Sequence, residues 1–147
     1  MQGLTGELSK SEYQKLEEFR FRIRRFLRFS EDVARRTGVE PQQHQALLVI
    51  HSAPKETAPT IGYVAERLMI KHQSAVGLLN RLTKLGLISR AHSVNDARQV
   101  LVALTRKGEQ VLHGLSLAHR AELEQIGPEL FDALGAVLRR TSFPPNR

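Results

Sequence analysis

The chain has 147 residues, 41% hydrophobic and 25% charged, and a formal net charge of +7. That length suits one domain with a real core, and the basic balance favours an anionic partner such as nucleic acid or an anionic membrane surface. Cysteine and tryptophan are absent, which excludes disulfides, thiolate metal sites and cysteine redox sensing and argues against a large aromatic-lined cofactor pocket.

The placement of the charge says more than its total. Residues 1–40 are nearly balanced, 41–54 carry no charge, and 111–147 are neutral overall. Residues 55–110 hold nine basic and four acidic side chains, most of the excess. The longest apolar runs, such as 46–50, are far shorter than a membrane span. No charged, apolar, small-residue pattern opens the chain. The expected location is therefore cytoplasmic, with no membrane partner.

Residues 1–8 read as a loose terminus. A long helix is predicted over 9–38, with Ser9 or Ser11 as N-cap and Glu12 in its first turn. Its apolar stripe runs Leu16, Phe19, Ile23, Phe26, Leu27, Ser30 and Val33, at helical spacing. Arg20, Arg22, Arg24, Arg25 and Arg28 interleave. They suit an anionic ligand, but a solvated face over a buried stripe is the preferred reading. Gly38 marks the stop.

Pro41 suits the first turn of a second helix. Its run Ala46, Leu47, Leu48, Val49 and Ile50 predicts burial on most sides. His44 and His51 are two turns apart, about 10 Å, too far to share a metal, and read as polar positions at the core edge. Residues 53–59 carry two prolines and read as a loop.

A third short helix should follow Thr60, with Ile61, Val64, Ala65 and Leu68 on one face. Residues 69–71 form a turn, and a fourth helix spans about 72–85. At 100° per residue, Ala75, Leu78, Leu79, Leu82 and Leu85 fall on one side. Gln73, Ser74, Gly77, Asn80, Arg81 and Lys84 fall on the other, and Val76 lies at the flank. The polar side has no acid, whereas a plain solvated face mixes both signs. Gln73, Ser74 and Asn80 suit hydrogen bonds to base edges, Arg81 and Lys84 suit phosphates, and Val76 suits a methyl contact to thymine.

Gly86 fits a left-handed helix stop. Strands are predicted at 87–91 and 99–104, joined by a polar turn containing His92, Ser93, Asn95, Asp96 and Arg98. An arginine near such a tip suits a narrow minor groove, with Asp96 placed to pair with Arg98. The alternative is a surface hairpin with a local ion pair worth less than about 1 kcal/mol. Thr105 should N-cap a helix bearing Leu112, Leu115, Ala118, Leu123 and Ile126. Gly127-Pro128 is expected to break the chain, with Pro128 starting a last helix through Leu130, Leu134, Val137 and Leu138. The end at Phe143, Pro144 and Pro145 is expected to fray.

The fold class is therefore mainly α: a winged helix-turn-helix over 41–105 with a β-hairpin wing, within a single 1–147 domain. Amphipathic helices at 9–38 and 106–141 flank it and are suited to dimerisation.

This order resembles the MarR family of bacterial transcription regulators over nearly the full length. The resemblance rests on the TIGYVAERL stretch at 60–68, on His72 through Arg81 and Leu82, and on Gly86-Leu87-Ile88. Asp96-x-Arg98 and Leu104-Thr105-x-x-Gly108 complete it. It implies a major-groove reader at 72–85, in which Gln73, Ser74, Gly77 and Arg81 match positions that commonly touch DNA. It implies Asp96 and Arg98 as the wing motif, with Arg98 as the minor-groove contact. It also implies a homodimer on a pseudo-palindromic double-stranded operator, and a small aromatic or anionic effector that changes the spacing of the two reading heads.

Three positions depart from the family pattern. Ala97 replaces the middle arginine of the wing motif, Gly77 offers no side chain, and Met69 stands where glycine is common. The missing cysteine excludes the thiol-based peroxide-sensing branch. The leading expectation is a repressor that physically blocks a promoter. The alternative is a winged-helix protein-interaction module without sequence-specific DNA binding. An enzyme is disfavoured, because no nucleophile elbow, Gly-rich phosphate loop or metal-ligand spacing is present. No catalytic residue, metal or cofactor is expected, and nothing in the sequence selects effector-binding residues.

Overall fold

The structure, a computed structural model, describes residues 6–139. The expectations for the first five residues, for 140–141 of the last helix and for the proline-rich end lie outside the described residues. Five helices and one hairpin follow in order: α1 Lys10–Arg36, α2 Pro41–His51, α3 Ile61–Leu68, α4 His72–Lys84, β1 Ile88–His92, β2 Val100–Leu104 and α5 Arg106–Leu138. They group into two compact units. One comprises residues up to Ser30 with those from His119 onward; the other is Glu31–Ala118.

The second unit is the winged helix. Its core gathers Ala46, Leu47 and Ile50 of α2, Val64 of α3, Leu78, Leu79 and Leu82 of α4, and Leu87, Ile88, Val102 and Leu112. Fully burying a leucine contributes roughly 2 kcal/mol, so the three leucines of α4 fix which side of that helix faces inward. Pro41 begins α2, where its missing N–H is harmless, and Glu40 and Gln43 close a reciprocal capping box. Thr60 caps α3 by accepting from the Tyr63 N–H at 3.1 Å. The turn into α4 passes through Met69 at φ 53°, in the left-handed region. Gly38 at φ 81° and Gly86 at φ 71° end α1 and α4 without a Cβ penalty.

The hairpin is antiparallel, pairing Ile88 with Leu104 and His92 with Val100. Both strands start one residue later than the sequence pattern suggests. A short bridge joins Thr60 to Leu101, and the Val102 N–H donates to the Pro59 carbonyl at 2.9 Å. The stretch read as a loop thus ends in an added edge to the sheet. Thr105 caps α5: its hydroxyl accepts from the Gly108 N–H at 3.1 Å and donates to the Gly86 carbonyl at 2.6 Å.

Three expectations need correction here. His44 is not at the core edge but buried, whereas His51 is exposed. Leu48 and Leu85 are more than two-fifths exposed. Leu85 lies past the last turn of α4, and its N–H caps the helix on the Arg81 carbonyl, so its side chain no longer follows the buried stripe.

In the first unit, Ser9 and Glu12 form a capping box at the start of α1, with each backbone N–H donating to the other's side chain. Ser30 is buried and lies 2.6 Å from His119 Nε2. The His119 ring meets Phe26 and Phe29 edge-on. Arg22 pairs with Glu18 at 2.7 Å and also with Glu129. The predicted break at Gly127-Pro128 does not occur, for Pro128 sits inside one continuous α5. Proline's fixed φ is compatible with a helix even though its ring removes one hydrogen bond. His119 before it and Glu129 after it each contact α1.

Not every apolar residue of these helices is covered. Tyr13, Leu16 and Leu27 on α1 and Leu123, Phe131 and Leu134 on α5 are exposed, Phe131 by 75%. Leu16 and Leu27, assigned to the buried stripe by spacing alone, share the exposed face with Tyr13, within about 60° at 100° per residue. Among the described residues no helix is long and apolar enough to cross a membrane.

Candidate nucleic-acid interface

The exposed side of α4 carries Gln73, Ser74, Asn80, Arg81 and Lys84, with Gly77 half-buried among them and Val76 at the flank. Ala75, Leu78, Leu79 and Leu82 are fixed in the core on the opposite side. That burial alone orients the polar face outward. The helix starts at Lys71, which has no side-chain acceptor to cap it, and no acid occupies its first turn. Its first amides and the positive end of its dipole therefore remain available to an anion.

A Cβ built on Gly77 would lie 3.5 Å from Arg81 Nη1, an ordinary contact with the end of a flexible side chain, so nothing in the structure explains the glycine.

The wing turn is tightly hydrogen-bonded. The Ser93 N–H donates to Gln99 and the Gln99 N–H to Asp96, both at 3.0 Å. His92 Nδ1 donates to the Ala97 carbonyl at 3.1 Å. Asp96 does not pair with the Arg98 guanidinium. Its carboxylate accepts from the Arg98 backbone N–H at 3.0 Å, an Asx-type turn. Asp96 thus shapes the loop, and the Arg98 side chain is left exposed. Asp96 and Arg98 come together; Gln73, Ser74 and Lys84 make no side-chain hydrogen bond among the described residues.

One residue of this surface escapes a reading by motif. Arg90 in β1 donates through Nη2 to Asn80 Oδ1 at 2.5 Å. Strand alternation was the available signal. Two residues beyond buried Ile88, and opposite buried Val102, Arg90 falls on the α4-facing side of the ribbon, where a charged side chain needs a partner.

Arg22 and Arg35 of α1 and Arg120 of α5 each pair with a carboxylate. The Glu18 hydrogen bond holds the Arg22 guanidinium above its ordinary pKa, with the charge of Glu129 adding to it. Among the described residues, Arg81, Lys84, Arg90 and Arg98 form no ion pair. Unneutralised cations on a protruding helix and ribbon make a surface for a polyanion.

A short helix pair whose second member presents its polar face, backed by a hairpin, is a winged helix-turn-helix module. Residues 37–99 match the model described as "MarR family", so this stretch is similar to that family. It is 33% identical over 81 residues to the HTH-type transcriptional repressor MdtR of Bacillus subtilis, covering 52% of this chain and 50% of MdtR. The chain spans about half the length of the curated relatives it matches. Among solved structures, the S. aureus MepR–DNA complex superposes with a TM-score of 0.65 at 17% identity, over 91% of this chain and 96% of that one. CouR from Rhodococcus jostii, bound to p-coumaroyl-CoA, gives 0.67 at 20% identity, over 95% and 99%. At such identities the likeness extends the shared fold to nearly the whole chain.

Proposed function

We propose that the protein is a homodimeric, sequence-specific DNA-binding transcription regulator that represses by occupying a promoter. The observation that carries this reading is the acid-free outer face of α4, continued by Arg90 and Arg98 of the wing, none of whose cations is neutralised among the described residues. The α4 face inserts in a major groove, and Arg98 reaches the adjacent minor groove. A relative named as a repressor and a fold neighbour solved on DNA support it. Dimerisation is supported by the exposed apolar faces of α1 and α5, since single-chain proteins rarely leave such surfaces bare. Two heads one helical turn apart fit a pseudo-palindrome. Release by a small aromatic or anionic effector completes the proposal, supported by a fold neighbour that holds p-coumaroyl-CoA. Such an effector acts by favouring one head spacing over another.

The test is fluorescence anisotropy with the DNA upstream of the coding region, titrated at several salt concentrations. Arg81, Lys84 and Arg98 from two protomers neutralising six phosphates give a slope of log K against log salt near about −5. A slope near zero, or equal affinity for unrelated duplexes, overturns the reading.

A further inference from the structure

We propose that Arg90 sets the base preference of the reader helix by fixing which half of the Asn80 amide faces the DNA. The inference rests on the reading of α4 as the reader and goes beyond it in naming a positioning residue outside that helix. Arg90 Nη2 lies 2.5 Å from Asn80 Oδ1. A guanidinium only donates, so the chemistry itself decides the orientation of the amide. The oxygen turns to Arg90 and the NH2 group turns away.

An asparagine with both halves free bonds adenine through two contacts, accepting from N6 and donating to N7. With its oxygen turned to Arg90 rather than to the groove, Asn80 presents only its NH2 group to the DNA. It then suits an acceptor edge, O6 or N7 of guanine or O4 of thymine, and loses the feature that distinguishes adenine.

The arrangement is held from both sides. Arg90 is paired in register with Val102. The link from α4 to β1 is closed by the Leu87 N–H donating to the Leu82 carbonyl at 3.1 Å. Among the described residues no carboxylate pairs with Arg90, so no acidic side chain there competes with Asn80 for it. Exclusion of water on a DNA surface strengthens such a charged hydrogen bond.

The test selects bound sequences from a randomised duplex library with the wild-type chain, Arg90→Met, Asn80→Ala and the double variant. Both side chains are exposed, so each variant is expected to keep the wild-type melting midpoint, checked by circular dichroism. Arg90→Met frees the amide and raises the preference for adenine over guanine or thymine about tenfold at one position of each half-site. In the Asn80→Ala background the same change has no effect on preference. If Arg90→Met weakens all sequences equally, Arg90 is a phosphate contact and the inference fails while the reader assignment stands. If the shift persists without Asn80, Arg90 reads the base itself and the inference fails. If the wild-type chain selects no sequence, the reader assignment fails and takes the inference with it.

Discussion

At Gly108 two ordinary rules give opposite signs. Gly108→Ala places a methyl group inside α5, and helix propensity alone favours that exchange by about 1 kcal/mol. The surroundings oppose it, because the new Cβ would lie 2.0 Å from the Leu87 carbonyl oxygen and 3.0 Å from its carbon. These are backbone atoms and cannot rotate away. The same oxygen accepts from the Thr105 N–H at 3.0 Å. Relief therefore needs the base of the wing or the start of α5 to move. Either shift opens the junction where Thr105 also caps Gly108. Overpacking costs about 1–3 kcal/mol and a lost cap about 1 more, so a net loss near 2 kcal/mol remains after the propensity gain. The control is Gly114→Ala on the same helix, where nothing lies within 4 Å of the added Cβ and stability should rise by about 0.5–1 kcal/mol. Urea unfolding followed by circular dichroism at one fixed protein concentration measures both. If Gly108→Ala is as stable as Gly114→Ala, the steric argument is refuted.

Met69 is left-handed and its side chain is 91% exposed, so Met69→Gly removes a backbone penalty and little packing. The expected gain is about 0.5–1 kcal/mol, read as a higher thermal midpoint; a lower midpoint counts against the assignment. Thr105→Val should lose about 1–2 kcal/mol by removing the cap, whereas Thr105→Ser should stay near wild type in the same unfolding assay. Arg81→Ala and Arg98→Ala should each leave the melting midpoint unchanged and reduce the salt slope of DNA binding by about 1 per protomer. Undiminished affinity in both variants would contradict the interface. Phe131→Asp should yield monomers in light scattering with unchanged helicity, since the ring makes few contacts in one chain; persistent dimers would place the interface elsewhere.

The parts legible in the sequence are those decided locally or by strong periodicity. The α4 wheel separated Leu78, Leu79 and Leu82 from the polar face because three leucines at helical spacing leave one solution for burial. Gly38, Gly86, Thr60 and Thr105 marked ends that φ > 0 or a hydroxyl cap requires. What escaped depends on partners distant in sequence. α5 runs through Pro128, with contacts to α1 at His119 and Glu129 on either side of it. His44 is buried by its place among packed elements, which its own neighbours in sequence do not encode. The Arg90–Asn80 bond needs the ribbon to be laid against α4 before the two side chains can meet.

Arg90 holds part of the proposed reader's geometry before any DNA arrives. It fixes the Asn80 amide from the neighbouring strand. That recognition group is thereby ordered in the free protein, and ordering it only on binding would cost about 0.5–1.5 kcal/mol. Arg98 has the opposite design. Its backbone is set by Asp96, but its side chain has no ion-pair partner among the described residues and is exposed. A pre-ordered donor suits a fixed base edge in the major groove, whereas an arginine free to adjust suits a minor groove whose width varies with sequence. The division predicts where specificity resides. Changes at Asn80 or Arg90 should alter which base is preferred, and changes at Arg98 should alter tolerance for groove width while leaving that preference in place.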